Sequence, residues 1–201
     1  MRMKQSAESS ELKNPAWSKQ SFLKEERIPT IPEVIEIASG IEKDRDRALF
    51  VLAYLTAGRI REIVRNKEKP SIRKNDLEIK DVKGRKILLI NMRNQKNKEK
   101  KRKELPVPLD IKENAIFWNL LIPHLNTLSN EEELFPITYQ TAYYILDRIS
   151  GWNCHWFRHI RLTHLVVEYD YGAFQLMMYA GWSDLRPAKN YLEMRWTDLL
   201  Y

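Results

Sequence analysis

The sequence predicts an α+β domain that is mainly helical and carries a small three-stranded antiparallel sheet. Two observations carry that prediction. Apolar residues recur at helical spacing through most of the chain, as in Ala48, Leu49, Leu52, Ala53 and Leu55. In the middle, residues 76–82, 86–92 and 103–109 are three consecutive short runs rich in β-branched and other apolar residues, separated by Gly84 and by a charged turn. A chain of 201 residues that is 43% hydrophobic can bury one core of ordinary size, so a single compact domain with a tail is expected.

Residues 1–27 mix Ser, Glu, Lys and Asn with few apolar anchors and read as a flexible N-terminal arm or linker; the domain takes up residues 28–201. Pro29, Thr30 and Pro32 open a short amphipathic helix, with Thr30 as its N-cap and Gly40 as its stop. Residues 43–57 make the clearest helix, a core stripe behind a charged first half. A basic insertion at 65–74 precedes the three strands. The last two strands enclose residues 93–102, RNQKNKEKKR, a hairpin tip too charged to be buried. Residues 111–125 are amphipathic through Ile116, Phe117, Leu120, Leu121 and Leu125, and residues 139–149 through Tyr143, Ile145, Leu146 and Ile149; Gly151 then ends the helix. The stretch 155–191 reads as helix, turn, short helix over 173–179 between Gly172 and Gly181, turn, tyrosine. Residues 192–201 leave Leu192, Trp196, Leu199 and Leu200 as an apolar face with no obvious place in the monomer.

Charge and composition narrow the partners. A formal charge of +7 and a pI near 9.4 point to a polyanion, of which nucleic acid is the commonest. The lone Cys154 excludes an internal disulfide; its neighbour His155 points elsewhere on a helix, so a buried, inert thiol is expected. The first 14 residues are polar and the apolar runs fall far short of a membrane span, so a soluble, cytoplasmic protein is expected.

Four short motifs carry the chemistry. His155 and Arg158 are three apart and share a helix face, Gly181-Trp182 follows a short helix, and Tyr191 stands nine residues after Trp182. Far upstream lies Thr56-Ala57-Gly58-Arg59-Ile60-Arg61-Glu62-Ile63. In this order the motifs resemble the catalytic domain of the tyrosine recombinases, the phage-integrase family. That family carries a Thr-Gly-Leu-Arg-Ile-Ser-Glu-Leu box, a His-x-x-Arg box, Gly-His or Gly-Trp, and a nucleophilic tyrosine. The resemblance covers about residues 28–191 and implies that family's fold. It makes Arg59, His155, Arg158, Trp182 and Tyr191 the catalytic set, with Glu62 and His159 in support. The glycine of the first box is displaced by one and Arg61 replaces a small residue, so Arg59 and Arg61 compete; the order Arg-Ile-x-Glu-Ile favours Arg59. The family's catalytic lysine belongs on the hairpin ahead of Val107-Pro108-Leu109. Its position at the end of a strand favours Lys96, counting back from the tripeptide favours Lys100, and Lys98 stays open. Lys98, Lys100, Lys101 and Arg102 are then expected to contact DNA phosphates.

The chemistry so implied is site-specific DNA strand cleavage and rejoining by an integrase of a mobile or viral element. Two arginines grip the non-bridging oxygens, and Tyr191 attacks to form a 3′-phosphotyrosyl link. His155 has the pKa to take or give a proton, the lysine protonates the leaving 5′ oxygen, and the Trp182 indole donates to a phosphate oxygen. Neither metal, nucleotide nor other cofactor is needed. The partners implied are double-stranded DNA and further copies of the chain, a tetramer on DNA held through the C-terminal segment. The helical core-binding domain usual on the N-terminal side in that family is not found in this sequence, which is then either a fragment or a naturally short version. Two alternatives share the residue set or the fold: type IB topoisomerase-like nicking and resealing, and a non-catalytic DNA-binding module.

Overall fold

A computed structural model of the chain describes residues 27–67, 69–93 and 102–198. The order of elements is α1 (Ile31–Ser39), α2 (Asp44–Thr56), α3 (Ile60–Ile63), β1 (Leu77–Val82), β2 (Arg85–Arg93), β3 (Arg102–Pro108), α4 (Lys112–Asn126), α5 (Tyr139–Ser150), α6 (Cys154–Val167), α7 (Ala173–Ala180) and α8 (Arg186–Asp198). The expected class, mainly helical with three antiparallel strands, is what is found.

Helix α1 begins as its sequence dictates. The Thr30 hydroxyl accepts from the Glu33 amide while the Glu33 carboxylate accepts from the Thr30 amide, a reciprocal cap that satisfies two donors at the helix start. Helix α2 departs from expectation. Its apolar positions are not a stripe: Phe50, Val51 and Tyr54 are as fully buried as Leu49 and Leu52. A helix buried all round is a central one, and α1, α4, α5 and α6 pack around it.

The sheet runs β1-β2-β3, antiparallel throughout, with Leu77 opposite Ile90 and Met92 opposite Lys103. The β1–β2 turn places Lys83 (φ 56°) and Gly84 (φ 79°) in the left-handed region, a tight hairpin in which glycine is strain-free. Strand β3 alternates strictly: Lys103, Leu105 and Val107 face inward and their neighbours outward. On β2, Leu88, Ile90 and Met92 face the same core. Helix α3 and the preceding Gly58 are thereby pressed between sheet and helices. A Cβ at Gly58 would lie 2.7 Å from the Met92 methyl and 3.0 Å from the Thr56 hydroxyl, so a larger residue fits here only if those side chains shift.

Two expectations about the C-terminal part need correction. The turn expected ahead of Tyr191 is present at residues 181–185, but Tyr191 itself sits in the second turn of α8, whose first turn is set by Asp184 accepting from the Arg186 amide and by Pro187 early in the helix. Leu192 is not stranded either, since it packs against the core beside Tyr191. The side chains of Trp196 and its neighbours, with Leu199, Leu200, most of the N-terminal arm and hairpin residues 94–101, lie outside the described residues. No helix among the described residues is long and apolar enough to cross a membrane.

Candidate active site

The site is assembled where α2 ends. Ala57 caps α2 in a left-handed conformation (φ 43°), which turns the chain through Gly58 and starts α3 at once, with Arg59 as its N-cap residue. Arg59 is therefore held on the turn between two helices rather than on a helix face. Glu62, one turn on, is 1% exposed; its carboxylate accepts from the Arg59 amide at 3.1 Å and from Arg59 Nη1 at 3.3 Å. Glu62 thus fixes both the start of α3 and the direction of the Arg59 guanidinium.

Helix α6 supplies the second half. Asn153 caps it, its side-chain oxygen accepting from the His155 and Trp156 amides at 2.9 and 3.0 Å. His155 is in the first turn, exposed toward solvent, and Arg158 is one turn deeper and 4% exposed. Arg158 Nη1 donates to the Ala57 carbonyl at 2.5 Å and Nη2 to the Ala180 carbonyl at 3.0 Å. Its guanidinium lies over the Trp182 ring, 5.4 Å from the centroid. Burial first, then the neighbouring Arg59, bring the Arg158 pKa down to about 10, which leaves it charged at neutral pH.

Arg59, His155 and Arg158 line one open cavity of about 280 Å³, together with Arg61, Tyr139 and Cys154. Arg61 is nonetheless placed differently from Arg59. It projects over the Tyr139 ring at 4.9 Å, whereas the charge felt by Arg158 is that of Arg59. Desolvation at the cavity wall, then the charges of Arg158 and Arg59, lower the pKa of His155, so its imidazole is neutral at neutral pH. The Cys154 thiol is pushed up to about 11 by burial and is held protonated.

Tyr191 packs beside the cavity. Its ring stacks on Trp182 at 5.9 Å and lies tilted against His159 at 5.4 Å; His159 in turn stacks on Trp156 at 4.9 Å. Burial raises the phenol pKa, only partly opposed by Arg158, so the hydroxyl is protonated in this arrangement. Trp182 thus links the two sides, one face toward Tyr191 and contact with Arg158.

One charged residue that the sequence reading left without a role is in the middle of this group. Lys103, at an inward register position of β3, is 8% exposed, and its ammonium lies 3.5 Å from Glu62 Oε2. Burial, with Arg158 and Arg59 adding to it against the pull of Glu62, lowers its pKa to about 8. The signal was in the alternation, because a lysine in phase with Leu105 and Val107 must point into the core. Of the lysines expected on the hairpin, Lys96, Lys98, Lys100 and Lys101 lie outside the described residues. Arg102 is described and is engaged within the chain, paired with Asp76 and donating to the Asn91 carbonyl at 3.3 Å. No group of three or more His, Cys, Asp or Glu that could hold a metal ion occurs among the described residues.

No family model matches the sequence, and no curated protein matches it. Among solved structures, the chain is similar to the XerH site-specific recombinase bound to difH substrate in a pre-cleavage complex, at 17% identity and a TM-score of 0.59, over 85% of this chain and 50% of that one. It is also similar to the XerA recombinase, at 17% identity and a TM-score of 0.56, over 84% of this chain and 62% of that one. The chain therefore spans about half to three fifths of the length of these two proteins. The likeness is one of architecture, and by it the chain has the fold of the tyrosine-recombinase catalytic domain.

Proposed function

We propose that this chain cleaves and rejoins DNA strands at specific sites through a covalent bond between Tyr191 and the 3′ phosphate, as an integrase or recombinase of a mobile or viral element does. The observation that carries the reading is the meeting of Arg59 and Arg158, ninety-nine positions apart in sequence (158 − 59), at one cavity that His155 also lines, with Tyr191 beside Trp182 and within the field of Arg158. A guanidinium has five N–H donors. Arg158 uses two on carbonyls, which leaves three to grip the non-bridging oxygens of a phosphodiester with Arg59.

In the reaction the Tyr191 oxygen bonds to phosphorus and the bond from phosphorus to the 5′ oxygen breaks. The phenol proton passes to neutral His155, and the leaving 5′ oxygen takes a proton from a lysine of the hairpin, Lys96, Lys98 or Lys100. Rejoining is the same step reversed with a new 5′ hydroxyl. Because the tyrosyl ester keeps the energy of the phosphodiester, no metal or nucleotide takes part. Trp182 donates its indole N–H to the phosphate, and His159 and Glu62 hold Tyr191 and Arg59 in place. The XerH structure was determined bound to its difH substrate, and the +7 charge of this chain suits a nucleic-acid partner. Assembly on DNA as several copies, through the C-terminal segment, belongs to the same reading.

The test is a nicked duplex whose released 5′ fragment diffuses away and traps the cleaved state. The chain is expected to give a protein–DNA adduct that survives denaturation and disappears in Tyr191→Phe. An adduct that persists in Tyr191→Phe excludes Tyr191 as nucleophile, and no adduct on any duplex tried excludes the enzymatic reading.

A further inference from the structure

Lys103 is a buried cation beside a buried anion, and that geometry is not explained by packing. Glu62 is 1% exposed and faces two cations, Arg59 on the cavity side at 3.3 Å and Lys103 on the sheet side at 3.5 Å. Beyond this long contact, the Lys103 ammonium makes no hydrogen bond among the described residues. An apolar residue here would fit the period of β3 and avoid the cost of burying an ammonium. The charged groups that bear on Lys103 are Glu62 and Arg59 from the start of α3 and Arg158 from α6. Two cations thus contact one carboxylate, with the charge of a third, Arg158, acting on the group from further off.

A carboxylate buried with a single cation holds that cation tightly, because nothing else offsets its charge. With Arg59 as its only partner, Glu62 would draw the guanidinium inward, away from the cavity. A second cation behind the carboxylate shares its charge and leaves that of Arg59 available to a phosphate. We propose that Lys103 is a positioning residue of the two-arginine clamp, neutralising Glu62 from the sheet side so that Arg59 stays directed at the cavity. The inference rests on the function proposed above and adds a residue to the machinery of that site.

The experiment measures adduct formation on the nicked duplex in a single turnover, together with DNA affinity, for the full chain and three variants. Lys103→Met keeps the length and removes the charge, and is expected to slow adduct formation about 100-fold, the cost of misplacing a reacting group by about 1 Å. DNA affinity, set by many phosphate contacts, is expected to change less than about 3-fold. Lys103→Arg restores a cation behind Glu62 and is expected to recover most of the rate. The double variant Lys103→Met with Glu62→Gln removes captor and counterweight together and is expected to react faster than Lys103→Met alone. With the Lys103 pKa lowered to about 8, its charge is lost as pH rises through that value, so the unsubstituted chain is expected to slow above pH 8 and Lys103→Arg to keep its rate there. Full activity in Lys103→Met overturns the proposal, and so does a double variant no faster than the single one. No adduct from the unsubstituted chain refutes the function itself, a different result from an active chain indifferent to Lys103.

Discussion

Replacing Arg158 with lysine tests the site through stability alone, without DNA. The guanidinium bridges the ends of two helices, donating to Ala57 at 2.5 Å and Ala180 at 3.0 Å, while lying over Trp182. A lysine ammonium reaches one of the two carbonyls. The other loses a charge-assisted hydrogen bond of about 1.5–3 kcal/mol and stays buried without a partner. Loss of the planar contact with Trp182 adds roughly 0.5–2 kcal/mol. The expected destabilisation is roughly 2–5 kcal/mol, read as a lower urea midpoint at unchanged slope, or as a melting temperature lower by roughly 4–20 °C for a chain of this size. A variant within about 0.5 kcal/mol of the parent would mean that Arg158 does not tie the helices together, and the reasoning about how the clamp is held would be wrong.

Arg59→Lys makes the opposite case: Arg59 is 28% exposed in its side chain and pairs with Glu62 at 3.3 Å, so its loss is expected to cost under about 1 kcal/mol in unfolding yet to abolish the covalent adduct. Thr30→Ala removes one arm of the α1 cap and is expected to lower stability by about 1 kcal/mol in the same unfolding assay. His164 donates from Nε2 to the Pro29 carbonyl, so Nδ1 accepts from the Tyr54 hydroxyl, and burial holds its pKa down to about 4. The folded state therefore keeps this imidazole neutral while the unfolded chain protonates it near pH 6.5. Its contribution is complete above that pH and lost as pH falls toward 4, about 3 kcal/mol in all, and His164→Gln should flatten the acid limb of the stability curve. In the reaction proposed above His155 accepts the phenol proton and has to be neutral to do so; on that reading the cleavage rate is expected to fall on the acid side of its lowered pKa, and His155→Gln to be slow at every pH.

How far the sequence could be read depended on whether the signal was local. The three strands were legible because β-branched content and a hairpin glycine are local facts, and α1 because its cap lies within four residues. The all-round burial of α2 was hidden, since Phe50, Val51 and Tyr54 read as the back of a stripe until four other helices cover them. The break after α2 was hidden too, because alanine gives no sign that position 57 will take a left-handed conformation. Arg59, Arg158 and Tyr191 could be named from motif order, whereas their shared setting came only with the fold. Tyr191 in a helix was within reach: Asp184 and Pro187 are an ordinary helix start read as a turn. Lys103 was within reach as well, from its phase with Leu105 and Val107.

The seat of Arg158 carries a further consequence. Both carbonyls it occupies close helices, α2 at Ala57 and α7 at Ala180, and the partial negative charge at a helix's carboxyl end amounts to about half a unit. Two such ends converging on one cation offset part of the cost of burying its charge and fix the direction in which it points. Shortening either helix by a turn would therefore disarm the guanidinium while leaving every side chain of the clamp in the sequence.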